Sequence, residues 1–371
     1  MNFSVDKNHL IDVLAGIQRV AERRHTMPVL SHALMTVKGD TLTIVSSDLE
    51  IVVRCTQPVV GSESGSVALP ARKLFDIAKV LPKDSPVRVS LKEGNYVEIS
   101  SGRSHFRLAG LSSTEFPEMP EKPLGNPVSI DPEMFCRLVE SVVQFASSDE
   151  TRYNLAGILL ERSEEEGLRM VATDGHRLAM AEEKTTGIDE LLSSRKILAP
   201  KKGVLEISKL AESGPGSIEL SASEKFLFAS KGETEVWVRL LDAEFPDYRQ
   251  VIPKENNITA MVDRNAFADV LRRVSVMSPD KVHSMKLSFS GKQLEISSTS
   301  PDHGEAQDLL EADYEGPTMK IGFNGRYLQE AITGIREEKM VLRMKDDVSQ
   351  VILQPEKDTS YLAIVMPMRI F

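Results

Sequence analysis

The sequence predicts an α+β protein built from three homologous domains, each with two helices packed on antiparallel sheets. Three kinds of segment occur in the same order three times along the 371 residues, at a period of about 125 to 130 residues. They are an amphipathic helix, a strand end and a second helix. Repeats of this length can bury cores of their own, so we expect complete domains rather than the dependent units of a solenoid.

The first segment of each repeat has apolar residues spaced i, i+3, i+4, i+7, which is the spacing of one buried helical face. The three copies are Leu10, Val13, Leu14 and Ile17; Phe135, Leu138, Val139 and Val142; and Phe267, Val270, Leu271 and Val274. The strand ends are Val45 to Asp48, Val171 to Asp174 and Ser297 to Ser300, and the second helices carry Phe75, Leu205 and Leu328.

Between the helices, apolar and polar residues alternate as in half-buried antiparallel strands, for example at Val87, Val89 and Leu91. Two proline-containing stretches, at 117–127 and 246–257, each follow a Glu-Phe-Pro sequence and mark the ends of repeats. We therefore predict domain boundaries at residues 1–125, 126–254 and 255–371. The linkers are expected to be short and stiff.

The composition, with 41% hydrophobic and 27% charged residues, is typical of a soluble globular protein. No apolar run is long enough to span a bilayer, and the first residues lack the pattern of a signal peptide. We therefore expect a cytoplasmic protein with no membrane partner. Cys55 and Cys136 lie far apart without a C-x-x-C pair, which predicts neither a disulfide framework nor a zinc site.

The formal net charge of −10 argues against a protein that holds nucleic acid by overall electrostatic attraction. The basic residues nevertheless gather on the repeated helices, at Arg19, Arg23, Arg24, Arg72, Lys73, Lys201 and Lys202. Two interpretations stay open at this point. The cations are either the ordinary decoration of solvated helix faces, or they mark one side of the assembly that is less acidic than its exterior.

The polar cluster Thr173 to Leu178 is the most suggestive of catalysis, because it places an Asp and a His two residues apart. The repeat, however, puts Asp48 and Ser300 at the position of Asp174, and no nucleophile or second carboxylate completes a known motif. We therefore interpret the cluster as a turn with a binding surface. The histidines form no H-x-x-x-H pair, and no phosphate-binding glycine loop is present, so no metal or cofactor is predicted.

The C-terminus, from Tyr361 onward, is unusually apolar for a chain end. The alternation from Tyr361 to Val365 predicts an ordinary core strand. The residues from Met366 to Phe371 run past it and offer the adaptable side chains found in promiscuous binding grooves. From the residues alone, a multidomain binding scaffold ranks first and an enzyme with an unrecognised site second.

Several motifs in order along the whole chain resemble the bacterial DNA polymerase III beta subunit family, the sliding clamps. They are Leu69-Pro70-Ala71-Arg72-Lys73, Val171 to Ala179, Phe245-Pro246-Asp247-Tyr248-Arg249 and Val365-Met366-Pro367-Met368-Arg369. The resemblance implies a head-to-tail homodimer, a ring of six similar domains that encircles duplex DNA without reading its sequence. It implies a non-catalytic processivity factor that tethers the DNA polymerase III alpha subunit, the clamp loader and other proteins with a clamp-binding motif.

The resemblance also implies two sets of binding residues. On the DNA side these are Arg24, Arg72, Lys73, Arg152, Tyr153, Lys201 and Lys202. The groove for partner peptides, between the second and third domains, is implied at Leu155, Thr173, Gly175, His176, Arg177, Leu178, Pro246, Val251, Val348, Ile364, Val365, Met366, Pro367, Met368 and Arg369. Gln250 stands where the family often has arginine, and Phe371 extends the usual end, so we expect an altered peptide preference.

The dimer interface implied by the resemblance joins the first domain of one chain to the third domain of the other. Its apolar part consists of Phe106 and Leu108 facing Val276 and Met277. Its charged part consists of Arg103, His105 and Arg107 opposite Asp302, Glu305 and Asp308. Gly304 and Gln307 replace acids that are common in the family, so we expect fewer ion pairs and a dimer that dissociates more readily.

Overall fold

The computed structural model describes residues 1–21, 27–83, 85–123, 125–149, 151–164, 166–192, 196–278 and 283–369. In this part of the chain, every strand pairing is antiparallel. The strands form three sheets, of five, eight and twelve strands. The helices pack on the strands of their own third of the chain, for example the first helix on two strands of the eight-stranded sheet. The predicted α+β class is confirmed.

The first third contains α1 (Lys7–Val20) and α2 (Ala71–Val80), and its strands are β1 (Asn2–Val5), β2 (His32–Lys38), β3 (Thr41–Ser47), β4 (Ile51–Pro58), β5 (Val60–Glu63), β6 (Gly65–Pro70), β7 (Val87–Leu91), β8 (Tyr96–Ser101) and β9 (Ser104–Ala109). The middle third contains α3 (Pro132–Val142), a short α4 (Ile188–Leu192) and α5 (Lys201–Glu212), with β10 (Val128–Ile130), β11 (Gly157–Arg162), β12 (Gly167–Thr173), β13 (Arg177–Lys184), β14 (Ile197–Pro200), β15 (Ile218–Ala222), β16 (Phe226–Lys231) and β17 (Thr234–Arg239). The last third contains α6 (Arg264–Ser275) and α7 (Gly325–Ala331), with β18 (Ile258–Asp263), β19 (Ser284–Ser290), β20 (Gln293–Ser300), β21 (Gly304–Tyr314), β22 (Met319–Asn324), β23 (Lys339–Met344), β24 (Val351–Pro355) and β25 (Tyr361–Val365).

The first helix of each third begins with the same N-cap, an aspartate whose carboxylate accepts hydrogen bonds from backbone amides of the first turn. Asp6 accepts from the amides of Asn8 and His9, Asp131 from Met134 at 2.7 Å, and Asp263 from Ala266 at 2.7 Å. An N-cap of this kind stabilises a helix by about 1 kcal/mol. The three aspartates are therefore a fourth repeated feature, which the sequence analysis missed although N-cap residues have a recognisable signature.

The predicted apolar faces of these helices are buried, with one departure. All four predicted residues of α3 and of α6 are buried, and so are Leu10, Leu14 and Ile17 of α1. Val13 of α1 is only half-buried. The three predicted strand ends are confirmed as well, since Asp48 follows β3, Asp174 follows β12, and Ser300 is the last residue of β20.

The chain divides into two compact units that do not follow the thirds. One unit comprises residues 1–130 and 209–240, and the other comprises residues 131–208 and 241–371. Backbone pairing explains this grouping. In the first unit β17 of the middle third pairs with β4, and in the second unit β13 of the middle third pairs with β25. Sheet hydrogen bonds thus link successive thirds as firmly as they link strands within a third.

Candidate functional site

The second compact unit contains a cavity of about 300 Å³ at the point where β12, β13 and β25 end or begin. It is lined by Arg152, Asn154, Leu155, Thr173, Gly175, His176, Arg177, Leu178, Pro246, Tyr248, Val251, Ile364 and Met366. Ten of the fifteen residues predicted for the groove are among them. The pairing of β13 with β25 brings the turn before β13 beside the end of β25. Residues that are far apart in sequence thereby line the same cavity.

The turn between β12 and β13 forms one wall of this cavity. The Oδ1 atom of Asp174 accepts hydrogen bonds from the amides of His176 and Arg177, at 2.9 and 3.1 Å. The Thr173 hydroxyl donates to the carbonyl of Arg177 at 2.6 Å. Gly175, at φ 89, takes the left-handed backbone conformation that favours glycine. The polar cluster in the sequence is thus a tight turn that the Asp174 carboxylate holds together.

Arg152 lies directly over Gly175. Its Nη1 atom donates to the carbonyl of Asp174 at 2.8 Å, and its Nη2 atom would be 2.9 Å from a Cβ added at Gly175. Any side chain at position 175 would therefore displace the guanidinium, in addition to straining the backbone. Arg152, which the resemblance placed on the DNA side, is part of the cavity wall in the structure.

Arg177 holds the turn in place through its buried side chain, which is only 6% exposed. The guanidinium pairs with Asp174 at 3.0 Å and with Glu330 of α7, and it donates to the carbonyl of Gln144 at 2.6 Å. It also stacks on the ring of Tyr327, 4.2 Å from the ring centre. The charged end of Arg177 is therefore occupied within the protein, and the residue contributes to the cavity as a support for the turn.

The opposite wall includes Tyr248, which is buried and connected to a row of charges on the sheet. Its hydroxyl donates to Glu161 of β11 at 2.6 Å and accepts from Arg169 of β12 at 3.2 Å. Glu161 is 3% exposed and also pairs with Arg249, while Arg169 pairs with Glu182 of β13 at 2.7 Å. Burial, together with the hydrogen bond to Glu161, raises the pKa of Tyr248 to about 12. The tyrosine thus stays neutral as a fixed part of the wall.

The end of the chain closes the cavity. The amide of Met366 donates to the carbonyl of His176 at 3.0 Å, and the Met366 side chain is 37% exposed beside the turn. The amide of Met368 then donates to the carbonyl of Gly322 on β22 at 2.9 Å. Val365, predicted as a groove residue, is fully buried and lines no described cavity, because alternation along β25 turns its side chain into the core.

Four other predicted groove residues lie around a second cavity of about 690 Å³. Val348, Pro367, Met368 and Arg369 line it together with Lys286, Lys320, Gly322 and Asp347. The resemblance did not include the two lysines. The segment Met366 to Arg369 therefore joins two cavities, an apolar one at Met366 and a basic one at its far end.

Within the described residues, no group of three or more His, Cys, Asp or Glu side chains could hold a metal ion. Asp174, the candidate acid or base of the polar cluster, uses its carboxylate for the turn and for Arg177. No helix in the described ranges is long and apolar enough to cross a membrane. The geometry is that of a concave site with apolar walls and a few polar groups for orientation.

Models of the DNA polymerase III beta subunit match the chain almost from end to end. The N-terminal domain model covers residues 1–120, the central domain model 129–247 and the C-terminal domain model 249–369. The chain belongs to the DNA polymerase III beta subunit family. The family provides a non-catalytic processivity subunit, in agreement with the expectation that this chain is not an enzyme.

Similar proteins lie across the family. The beta sliding clamps of Pseudomonas putida strain KT2440 and Escherichia coli K12 are 33% and 32% identical, with all of each chain covered. The crystal structure of the sliding clamp of Bartonella birtlesii bound to griselimycin has a TM-score of 0.93 at 32% identity, again over both whole chains. A crystal structure of the Pseudomonas aeruginosa clamp with a ligand has a TM-score of 0.92 at 30% identity, over all of both chains. Each of the three sliding-clamp domains thus has two longer helices with antiparallel sheets, and the middle domain also has the short α4.

The structure places the remaining predicted DNA-side residues of this clamp chain at helix starts and in a loop. Arg72 and Lys73 are exposed in the first turn of α2, and Lys201 and Lys202 begin α5. Burial, with Arg177 and Arg326 nearby, lowers the pKa of Lys201. Tyr153 is 67% exposed beside Arg152. Arg24 lies outside the described residues, as do Arg23 and Phe371.

The residues predicted for the dimer interface lie on β9 and β21, in the turns that precede these strands, and directly after α6. Phe106 and Leu108 are half-buried on β9, which is the end strand of the five-stranded sheet. On β21, residues 304–311 pair with β20 and with no other strand in the described part of the chain, and β18 pairs with β21 from Ala312 onward. Val276 is 80% exposed after α6, whereas Asp308 already pairs with Arg273 at 2.6 Å within the same chain. The carboxylate of Asp308 would thus have to bind a cation of a partner chain in addition to Arg273 of its own chain.

Proposed function

We propose that this chain is a DNA sliding clamp, a processivity factor that encircles duplex DNA and tethers the replicative polymerase. The observation that carries this conclusion is the match of all three clamp domains along one chain. A clamp needs no catalytic group and no base readout, because topology rather than affinity keeps it on DNA. The acidic net charge of −10 suits a protein that must slide rather than adhere.

Retention on DNA of two topologies tests this function. The protein is loaded by a clamp loader and ATP onto nicked circular DNA, half of the sample is linearised, and both halves are gel filtered. We expect the clamp to stay on the circle and to leave the linear molecule over its ends. Equal retention on both would mean ordinary binding, and encirclement would have to be abandoned.

The cavity at Gly175 and Met366 is proposed as the groove for clamp-binding peptides of the polymerase alpha subunit, the clamp loader and other partners. Its volume of about 300 Å³ suits one or two apolar side chains. Leu155, Leu178 and Ile364 give it buried apolar walls. The relative from Bartonella birtlesii is described as bound to griselimycin. This supports a ligand-binding role for the family without fixing the site in this chain.

The exposed cations at the starts of α2 and α5 are proposed to steer the duplex. Arg72, Lys73 and Lys202 are exposed, so each could approach a phosphate. A phosphate contact adds about 0.9 to the slope of the logarithm of affinity against the logarithm of salt concentration. Arg152 is the weakest member of the predicted set, because its guanidinium already binds the Asp174 carbonyl.

A head-to-tail homodimer is proposed to close the ring, with β9 of one chain adding to β21 of the other. Both strands present backbone groups on an unpaired edge, which is the usual requirement for pairing between chains. Phe106 and Leu108 would then cover Val276 and Met277, and Arg103, His105 and Arg107 would face the acids near Asp302 and Glu305. Sedimentation at about twice the chain mass of 41.1 kDa is expected, and a monomer at all concentrations would contradict the ring.

The domain boundaries at 125 and 254 and the cytoplasmic location also stay part of this proposal. The three family models leave 121–128 and 248 between matched regions, close to the proposed boundaries. Limited proteolysis at these two linkers, read by mass spectrometry, would test the boundaries. A replication protein acts where the bacterial chromosome is, which supports the cytoplasm.

A further inference from the structure

The second cavity gathers positive charge in a chain that is acidic overall. Of the residues that line it, Lys286, Lys320 and Arg369 are cationic, and Asp347 is the one carboxylate. The chain as a whole carries ten more negative than positive charges. The charge of the cavity is therefore opposite in sign to that of the chain as a whole, which favours a negatively charged ligand.

The strands fix two of these cations side by side. In the pairing of β19 with β22, Lys286 lies opposite Gly322, and Lys320 is two residues from Gly322 along β22. Residues opposite each other and residues two apart share a face of the sheet, so both lysines project to the same side. The hydrogen bond from the Met368 amide to the Gly322 carbonyl then holds the chain end, with Arg369, over the same strand.

These three cations form no ion pair within the described part of the chain, whereas others in the same unit do. Lys345 pairs with Glu255 at 2.7 Å, and Arg326 pairs with Glu330 at 2.8 Å. The charges in the cavity are thus available to a ligand. Its rim also carries apolar surface, since Val348 is 74% exposed and Met368 is half-buried.

We propose that this basic cavity, formed by Lys286, Lys320 and Arg369, binds acidic residues that flank the apolar anchors of a clamp-binding peptide. The proposal rests on the function proposed for the groove. Met366 lines the groove, and the next three residues line the basic cavity. Three residues of extended chain span at most about 10 Å, so a peptide anchored at Met366 reaches the cavity within a few residues. Exposed apolar rim residues fit a peptide better than they fit a phosphate backbone.

Fluorescence polarisation with the full-length protein tests the proposal. The probes share one core with Leu and Phe anchors and carry two Glu, two Gln or two Lys residues, on either side of the core. We expect the Glu peptide of one orientation to bind about threefold to tenfold more tightly than the Gln peptide, from two exposed ion pairs. The difference should shrink when salt rises from about 0.1 to 1 M, because the screening length falls from about 10 to 3 Å.

Two variants separate the possible results. Lys286→Gln with Lys320→Gln should remove the preference for Glu and leave the Gln peptide unaffected. Lys292→Gln with Lys357→Gln removes the same charge from exposed positions elsewhere and should keep the preference.

Equal binding of Glu and Gln peptides in both orientations would overturn the proposal while leaving the groove intact. If none of the probes binds, or if Met366→Ala does not weaken the Gln peptide, the groove itself is refuted. Weaker retention on nicked circular DNA by the Lys286 and Lys320 variant, with no change for peptides, would assign the cations to DNA instead.

Discussion

The turn after β3 and the turn after β12 have similar backbone hydrogen bonds, and the second of them lines the cavity of about 300 Å³. In the first copy the Asp48 carboxylate accepts from the amides of Glu50 and Ile51, at 3.0 and 2.6 Å, as Asp174 does two and three residues ahead of itself. The residue after the aspartate has positive φ in both, 73 at Leu49 and 89 at Gly175. The repeated fold therefore supplies the turn, and the side chains decide whether it becomes a site.

The strands next to the two turns also differ in their side chains. Across β2, β3 and β4 of the first copy, three threonines lie in a row of cross-strand partners, Thr36, Thr43 and Thr56. The same row across β11, β12 and β13 is Glu161, Arg169 and Glu182. Only the charged row supports a tyrosine in a cavity wall, through the Tyr248 hydroxyl. The two copies thus differ in a whole cross-strand row, and the charged row is the one bonded to a residue that lines the cavity.

The largest effect is expected from Arg177→Ile, which gives the second turn the residue of the first. It leaves the Asp174 carboxylate without its cation and the Glu330 carboxylate paired with Arg326 alone among the described residues, and breaking such a buried pair costs about 3 to 5 kcal/mol. Hydrogen exchange of the β13 and β25 amides measures this local loss. Ile51→Val in the first copy is the control, and its expected loss of stability is about 1 kcal/mol. A loss below that of the control would show that the ion pairs contribute nothing to the turn.

An exchange between Leu49 and Gly175 addresses the cavity directly. Gly175→Leu places a side chain where Arg152 lies and forces a left-handed conformation that costs about 1 to 2 kcal/mol. We expect peptide affinity to fall by about tenfold or more, since 1.4 kcal/mol corresponds to a factor of ten. Leu49→Gly should leave peptide affinity unchanged. The affinity of both variants for one peptide is measured by calorimetric titration. If Gly175→Leu keeps its affinity, the turn is not part of the peptide groove.

Met366→Ala removes the exposed side chain that closes the cavity in the second copy. We expect a loss of about 1 to 2 kcal/mol in peptide affinity, with the oligomer intact. Val60→Ala, at a side chain that is 75% exposed in the first unit, is the matched truncation and should change nothing. The measurement is a peptide titration beside sedimentation of both variants. Unchanged titration of Met366→Ala would refute the assignment of this cavity as the groove.

Much of the fold was predictable because it depends on local periodicity. The helices at Leu10, Phe135 and Phe267 and the strand ends at Asp48 and Asp174 follow from patterns that span a few residues. The groove turn was found at first only as a polar cluster, and its role came from the resemblance. Ten of fifteen residues carried over in this way do line one cavity, since aligned backbones place aligned residues alike.

The rest depends on pairings between distant strands, which no local pattern predicts. Glu161, Arg169 and Glu182 are separated in sequence and look like solvent-facing charges, yet sheet pairing makes them one row in which Glu161 and Arg169 are buried. Lys286 and Lys320 meet only because β19 pairs with β22. Val365, predicted for the groove, is buried, and the resemblance identifies a motif but not which residues of its strand face inward.

Tyr248→Phe is expected to give the smallest loss of stability. The variant tests whether the row of Glu161, Arg169 and Glu182 supports the cavity wall. Loss of the hydroxyl leaves Glu161 and Arg169 without one shared partner and is expected to cost about 1 kcal/mol of stability at neutral pH. The folded pKa of Tyr248, about 12, lies above its usual value of 10.0, so the neutral hydroxyl is favoured by folding. Its contribution is therefore complete below pH 10 and is lost as the pH rises toward 12. The difference in melting temperature between wild type and variant should narrow over this interval, while a constant difference would mean that Tyr248 does not ionise with the row in place.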